Sequence, residues 1–170
     1  FGHQLGFQIP VRPLKGERLL LRYAGEPLPV LISSPKRGHM ISRLDGFLSV
    51  GSTGGRDYDQ RESHLGTEHD RQPTEAARME LLSRAMDVFP GLAEAELVQQ
   101  TACLRPLSSD GLPIVGQVPG WQNLYVGTGG GRKGILWSTG MSQGLAELIL
   151  EGSSRVPGLE FLDPARFQRD

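Results

Sequence analysis

Short apolar runs separated by turn residues mark the first third of the chain. Four such runs recur about every ten residues, at Leu19–Leu21, Val30–Ile32, Met40–Ile41 and Phe47–Val50. Runs of this length, separated by turn residues and spaced in this way, predict strands of an antiparallel sheet. Between the last two runs, Leu44-Asp45-Gly46 predicts a tight hairpin turn because glycine accepts a positive φ.

After these strands the chain first becomes polar and then takes on the pattern of a helix. Gly54–Pro73 is the most polar stretch of the chain, and we expect an exposed, mobile loop there. Thr74 is a suitable N-cap for a following helix that Pro90 ends. The apolar residues of this helix recur at helical spacing, and we expect them to form its buried stripe: Met79, Leu82, Met86 and Phe89.

The second half predicts two further strands and a long helix. Val98–Leu104 and Leu124–Val126 are apolar enough to be buried strands, and we expect irregular chain over Arg105–Gly120. A helix is expected from about Gly134 to Leu150, closed by Gly152. Its apolar face is formed by Leu145, Leu148 and Ile149, and Gly140 and Gly144, four residues apart, allow very close approach of another backbone.

Composition excludes several classes of protein. The chain has 170 residues, 18 basic against 19 acidic side chains and a pI near 6.5, which argues against a nucleic-acid partner. No apolar run reaches the roughly 20 residues that span a bilayer. The single cysteine, Cys103, excludes an internal disulfide framework, and we expect its side chain to be buried. We expect the protein to lie in a reducing compartment, the cytoplasm. The chain opens at Phe1 without methionine, and we interpret it as a fragment.

Side chains that could carry acid–base, nucleophilic or metal chemistry are sparse. No serine lies in a nucleophile elbow, and we identify no nucleophile–base pair, so we assign no catalytic residue. The four histidines lack metal-ligand spacing, and we predict no metal site from them: His3, His39, His64 and His69.

The glycine loop Gly129–Gly134 is the sharpest local feature. It satisfies G-x-G-x-x-G, follows an apolar strand and opens a helix, as a dinucleotide-binding loop does. However, no second strand with an acidic residue follows, and Lys133 precedes glycine rather than the serine or threonine of a P-loop. Two interpretations stay open. The loop either offers bare backbone N–H groups to an anion or an electron-rich ligand edge, or is a tight turn that needs glycine for its dihedrals.

Two arginines lie where a small carboxylate could be bound. Arg105 ends an apolar strand, and Arg132 lies inside the glycine loop. A planar guanidinium binds a carboxylate with two parallel hydrogen bonds. For either residue alone an ordinary structural ion pair is the simpler explanation. Their shared proximity to one glycine loop favours a carboxylate ligand.

Four segments together resemble the C-terminal half of the D-amino-acid-oxidase-like flavoproteins, which include glycine oxidases and sarcosine oxidases. The resemblance extends to about Gly152. In chain order the segments are Pro10–Glu17, Asp45–Thr53, Leu104-Arg105-Pro106 with Asp110–Gly116, and Asn123–Val126 leading into Gly129–Leu136.

The resemblance implies an FAD-dependent oxidoreductase that oxidises the Cα–N bond of a small amino acid or N-substituted glycine. A hydride passes from the substrate Cα to the flavin, and oxygen reoxidises the flavin to give hydrogen peroxide. By position, Arg105, Arg132 and His39 correspond to substrate-binding residues; His39 stands where glycine oxidase has a tyrosine. The stretch facing the flavin is Gly129, Gly130, Gly131, Arg132, Lys133, Gly134 and Ile135.

The implied fold is α+β. A mainly antiparallel substrate-domain sheet with packed helices is joined to the C-terminal strand, loop and helix of an FAD-binding, Rossmann-like domain, whose N-terminal part is missing. We expect a substrate-binding region over 1–122, an FAD-domain segment over 123–152 and a polar tail over 153–170. The implied partners are an amine substrate, the missing half or an equivalent subunit, and a homo-oligomer is possible. The alternative is a non-catalytic module that binds a carboxylate or a partner subunit on the same scaffold.

Overall fold

A computed structural model describes residues 2–34, 38–53 and 71–168 of the chain. The chain forms two compact units. The sheet unit is Leu14–Leu104, and the helix unit joins Phe1–Pro13 to Arg105–Asp170. Strands β1 (Val11–Arg22) and β5 (Glu96–Ser108) run from one unit into the other. This division by contacts does not test the segments expected from the resemblance, which stay a prediction.

Within the described ranges, five of the strands form one sheet with the order β2-β3-β4-β1-β5. The short strands are β2 (Ile32–Ser34), β3 (Gly38–Ser42) and β4 (Phe47–Gly51), and the β2–β3, β3–β4 and β4–β1 pairs are antiparallel. The predicted antiparallel sheet and the turn at Gly46, whose φ is +81°, are confirmed. The predicted strand Val30–Ile32 is displaced, because its first two residues are 60% exposed and pairing begins only at its last residue.

Helix α2 (Glu75–Val88) packs on this sheet. The Thr74 hydroxyl accepts a hydrogen bond from the Ala77 N–H, which confirms the predicted N-cap. The predicted stripe is partly wrong: Met79 is 59% exposed, and the three later stripe residues lie at the edge of the core. Small residues set the closest approach of the helix, so its buried residues are Ala77, Leu81 and Ala85. The sheet contributes Leu19, Leu21, Met40, Leu48 and Val50 to the same core, together with Leu92 after the helix.

A buried carboxylate fixes the start of α2. Glu17 on β1 is 3% exposed. Its two oxygens accept hydrogen bonds from the N–H and hydroxyl of Thr74 and from the Gln100 side chain, at 2.8–3.0 Å. Its backbone N–H donates to the Thr53 hydroxyl at 2.9 Å. Glu17 therefore binds the chain on both sides of the predicted loop Gly54–Pro73, of which residues 54–70 lie outside the described ranges.

The helix unit contains the short helix α1 (Gly2–Leu5), the antiparallel pair β6 (Ile114–Gln117) and β7 (Tyr125–Thr128), and the long helix α3 (Gly134–Glu151). Gly152 ends α3 in the left-handed conformation, with its N–H bonded to the Leu148 carbonyl, as predicted. Two 3₁₀ turns follow, at Leu159–Leu162 and Pro164–Phe167.

The C-terminal segment packs on α3 rather than trailing away from it. Leu159 is 6% exposed and covers Gly144, the buried glycine of the helix. The Glu147 carboxylate accepts hydrogen bonds from the Gln143 side chain, the Arg155 N–H and the Ser154 hydroxyl. These bonds lower the pKa of Glu147 to about 2, with the Gln143 bond contributing most.

Two further sequence expectations are wrong. Arg105–Gly120 is not irregular, because β5 continues through Ser108 and β6 lies within the segment. Cys103 is exposed rather than buried, because a small side chain in a strand is buried only where another element covers it. Gly140, which would allow the close approach of another backbone, has open space beside it among the described residues. No helix in the described ranges has the length and apolar character needed to cross a membrane.

Candidate functional site

The glycine loop joins β7 to α3 in a single sharp bend. Gly129 has a φ of +78° and Gly131 a φ of +49°, conformations that favour glycine. A 3₁₀ turn over Gly131–Lys133 follows, closed by the Lys133 N–H to Gly130 carbonyl bond of 2.9 Å. The predicted strand–loop–helix arrangement is therefore present.

Steric contacts explain why the loop carries no side chains at its centre. A Cβ at Gly130 would lie 2.7 Å from the Gly134 Cα, and a Cβ at Gly129 would lie 3.1 Å from the Ser108 Cβ. Of the two interpretations that the sequence leaves open, the tight turn thus has direct steric support. The ligand interpretation is compatible with it, because the same absence of side chains leaves the backbone accessible.

The first turn of α3 leaves its N–H groups available. Lys133 occupies the N-cap position and makes no side-chain capping hydrogen bond. Its ammonium instead lies 5.2 Å from the centre of the Trp137 ring, a cation–π contact. Uncapped N–H groups at a helix start carry partial positive charge and bind anions or carbonyl oxygens.

A cavity of about 320 Å³ lies beside the loop. Its walls are the glycines of the loop, Pro106 of β5, and small or apolar residues on one face of α3: Ser138, Met141, Ser142 and Leu145. These walls place backbone polar groups next to apolar surface. A heteroaromatic ring needs both, because its edge forms hydrogen bonds and its faces are apolar.

Arg105 belongs to the same unit as the glycine loop. Two residues further along β5, Leu107 forms an antiparallel bridge with Gly130. Arg105 is half-buried, and its Nη1 atom is buried without a hydrogen-bond partner among the described residues, although the side chain makes other interactions. It does not line the cavity beside the loop, because alternate residues of a strand point to opposite faces and Pro106 takes that position.

The other predicted residues are placed differently. Arg132 and Ile135 are exposed, Ile135 at 93%. His39 lies on β3 in the sheet unit, opposite Gly51 of β4. A Cβ at Gly51 would lie 3.3 Å from the His39 ring and 3.1 Å from the Arg18 Cβ, so glycine makes room for both side chains.

Sequence reasoning missed Arg12 at the start of β1. Its Nε atom is buried and has no hydrogen-bond partner among the residues that the structure describes. The signal was present, since a charged residue sits between apolar neighbours in a strand. Among the described residues no cluster of three or more histidine, cysteine or acidic side chains could hold a metal ion; His64 and His69 lie outside those ranges.

Comparison with known proteins gives consistent matches. The family model for "DAO: FAD dependent oxidoreductase" matches residues 1–148. The glycine oxidase of Pseudomonas aeruginosa is 34% identical over 163 residues, which are 96% of this chain and 40% of that protein. The glycine oxidase of Geobacillus kaustophilus is 32% identical over 151 residues, which are 87% of this chain and 37% of that protein. The chain thus spans about two fifths of these relatives.

Solved structures have the same fold. The crystal structure of glycine oxidase from Geobacillus kaustophilus matches 99% of this chain and 42% of its own, with a TM-score of 0.81 and 26% identity. Iminodiacetate oxidase from Chelativorans sp. BNC1 matches 95% of this chain and 42% of its own, with a TM-score of 0.81 and 27% identity. These matches confirm the expected α+β fold class with its antiparallel sheet.

Proposed function

Because the chain belongs to the DAO family of FAD-dependent oxidoreductases, as its motifs indicated, we propose that it is the C-terminal portion of an amine-oxidising flavoenzyme. The substrate is a small amino acid such as glycine, or an N-substituted glycine such as sarcosine or iminodiacetate. The reaction oxidises the Cα–N bond. The observation that carries this proposal is a bare-backbone loop before an uncapped helix, in the same compact unit as a half-buried arginine.

The loop and the start of α3 fit the polar edge of a flavin ring. Gly130 has no side chain, and a Cβ there would meet the backbone of Gly134. The ring edge can therefore reach the main chain at this point. The N–H groups of the first turn of α3 would donate to the carbonyl oxygens of that edge and favour negative charge there. When bound, FAD would supply the redox chemistry, as the acceptor of a hydride from the substrate Cα whose electrons then reduce oxygen to hydrogen peroxide.

Arg105 would bind and orient the substrate carboxylate. Arg105 is half-buried in the same compact unit as the glycine loop, and its planar guanidinium can bind a carboxylate with two parallel hydrogen bonds. Fixing the carboxylate fixes the direction of the neighbouring Cα–H bond, which is the main task left to the protein when a cofactor carries the chemistry. Arg132 in the loop would add positive charge, and the resemblance supports His39 as a further substrate-binding residue.

The phosphate and adenosine parts of FAD need a polypeptide that this chain does not supply. The helix α3 offers a surface on which such a polypeptide could pack. Between Gly134 and Leu150 the exposed residues of α3 are uncharged, and the large ones are Ile135, Leu136, Ile149 and Leu150. We place the FAD-binding half, or an equivalent subunit, against this surface. A homo-oligomer of the complete enzyme is compatible with this arrangement.

The test uses the full-length gene product, purified with its flavin. We expect hydrogen peroxide release with glycine, sarcosine or iminodiacetate, and an Arg105→Ala variant with a KM raised about 10- to 100-fold, since hydrogen bonds to charged groups contribute about 1.5–3 kcal/mol. FAD content should be unchanged. Arg78→Ala, which breaks an exposed pair with Glu75 on α2, is the matched control.

Unchanged kinetics in Arg105→Ala would remove this residue from the site. A full-length protein that holds no flavin but binds small carboxylates would favour the alternative, a non-catalytic binding module. The 170-residue chain alone, mixed with FAD, should form no dialysis-resistant yellow complex. A stoichiometric complex would show that the described loop and helix hold the cofactor without the second half.

A further inference from the structure

A second arginine of the helix unit lies beside Arg105 on the same face of the β1–β5 pair. The Ser109 N–H donates to the Pro10 carbonyl at 3.0 Å, so these two residues lie opposite each other on the neighbouring strands. Two positions further along each strand, Arg12 lies opposite Leu107. Arg105 follows two positions beyond Leu107 and is the diagonal neighbour of Arg12. The two Cβ atoms of such a pair are separated by about 7–8 Å or less.

The surroundings of Arg12 call for an anion. A guanidinium is always charged and has only donors, and a buried donor without an acceptor is unfavourable. Nε of Arg12 is buried and bonds to nothing within the described ranges. A second guanidinium on the adjacent strand adds like-charge repulsion, which an anion held between the two would remove.

The position of Arg12 relative to the glycine loop indicates which anion Arg12 would bind. Leu107 has Arg12 on one side and its bridge partner Gly130 on the other. Arg12 is therefore one strand further from the loop than Arg105 is. A substrate carboxylate on Arg105 leaves Arg12 beside the part of the substrate that extends away from the loop.

We propose that Arg12 and Arg105 form a two-arginine receptor that selects substrates with a second carboxylate, of which iminodiacetate is the simplest N-substituted glycine. This inference rests on the proposed function and adds a specificity-determining residue to it. Arg105 binds the carboxylate next to the reacting carbon, and Arg12 binds the distal one. Glycine and sarcosine would use Arg105 alone.

The experiment compares Arg12→Met with Arg22→Met in the full-length flavin-containing protein. Methionine keeps most of the aliphatic stem, and Arg22 is an exposed residue of the same strand that pairs with Glu96, so its variant removes an equal charge elsewhere. For Arg12→Met we expect kcat/KM for iminodiacetate to fall about 10-fold or more through KM, with sarcosine changed by less than about 2-fold.

A second readout is independent of turnover. Binding of malonate and of acetate, which carry two carboxylates and one but are not amines, is followed by the change in flavin absorbance under argon. The Arg12→Met variant should lose the preference for malonate, and Arg22→Met should retain it. Equal losses for malonate and acetate, or a fall in FAD content, would overturn the proposal and make Arg12 a structural residue. Absence of flavin or of any amine oxidation in the parent protein would instead refute the proposed function.

Discussion

Two glycines on α3 give a matched pair of substitutions with opposite expected effects. Alanine is favoured over glycine inside a helix by about 0.5–1 kcal/mol. At Gly140 a Cβ would have nothing within 4 Å, so Gly140→Ala should raise the free energy of unfolding by that amount. At Gly144 the added Cβ would lie 2.6 Å and 2.8 Å from the two methyl carbons of Leu159.

The cost at Gly144 follows from that overlap. Carbon atoms in contact are normally about 3.5–4.0 Å apart, so Leu159 must move by about 1 Å. Leu159 is 6% exposed and has little room, and overpacking of this kind costs about 1–3 kcal/mol. After the gain in helix propensity, Gly144→Ala should lower the free energy of unfolding by about 0.5–2 kcal/mol.

Urea unfolding followed by far-UV circular dichroism measures both variants against the parent chain. The single variant Leu159→Ala and the double variant Gly144→Ala/Leu159→Ala complete a double-mutant cycle. The cycle should show that Gly144→Ala is no longer destabilising once Leu159 is truncated. If Gly144→Ala instead stabilised the parent as much as Gly140→Ala does, the packing of the C-terminal segment on α3 would be refuted.

Two further outcomes concern buried and bonded carboxylates. Glu17→Ala should lower the free energy of unfolding in urea by at least about 2 kcal/mol, since each buried group left unpaired costs about 1–3 kcal/mol. The control Glu75→Ala, at the exposed start of α2, should change it by less than about 0.5 kcal/mol. Equal effects would contradict the role of Glu17 as a buried hydrogen-bond acceptor. The Glu147 carboxyl, with its pKa lowered to about 2 from 4.5, should contribute stability above pH 4.5 that is lost toward pH 2, and an NMR titration midpoint near 4.5 would contradict this.

The sequence predicted those elements whose signals are local. Thr74 caps α2, Gly152 closes α3 and Gly46 turns the β3–β4 hairpin, and in each case the residue type itself dictates the backbone conformation. Short apolar runs, spaced about ten residues apart and separated by turn residues, likewise predicted the antiparallel sheet. Capping and turn chemistry involve residues a few positions apart, so they can be recognised without knowing the tertiary structure.

The errors arose where tertiary packing decides. Met79 was expected in the core because it is apolar, but the alanines of α2 approach the sheet more closely and turn the helix so that Met79 faces outward. Cys103 was assigned to the interior because it lies in an apolar strand, but its side chain is exposed. For the candidate site, motif and position in the sequence singled out the loop and Arg105, whose roles stay predictions. Arg12 was missed because its proximity to Arg105 depends on the register between two strands far apart in sequence.

The exposed apolar residues of α3 determine how a polypeptide of this length must be handled. Ile135 and Leu150, at its two ends, are 93% and 83% exposed. A copy prepared by itself would attract holdase chaperones and would be precipitated by sulfate or phosphate salts, which strengthen apolar association. If the proposed FAD-binding half covers these residues, its synthesis together with this chain should raise the yield of soluble protein.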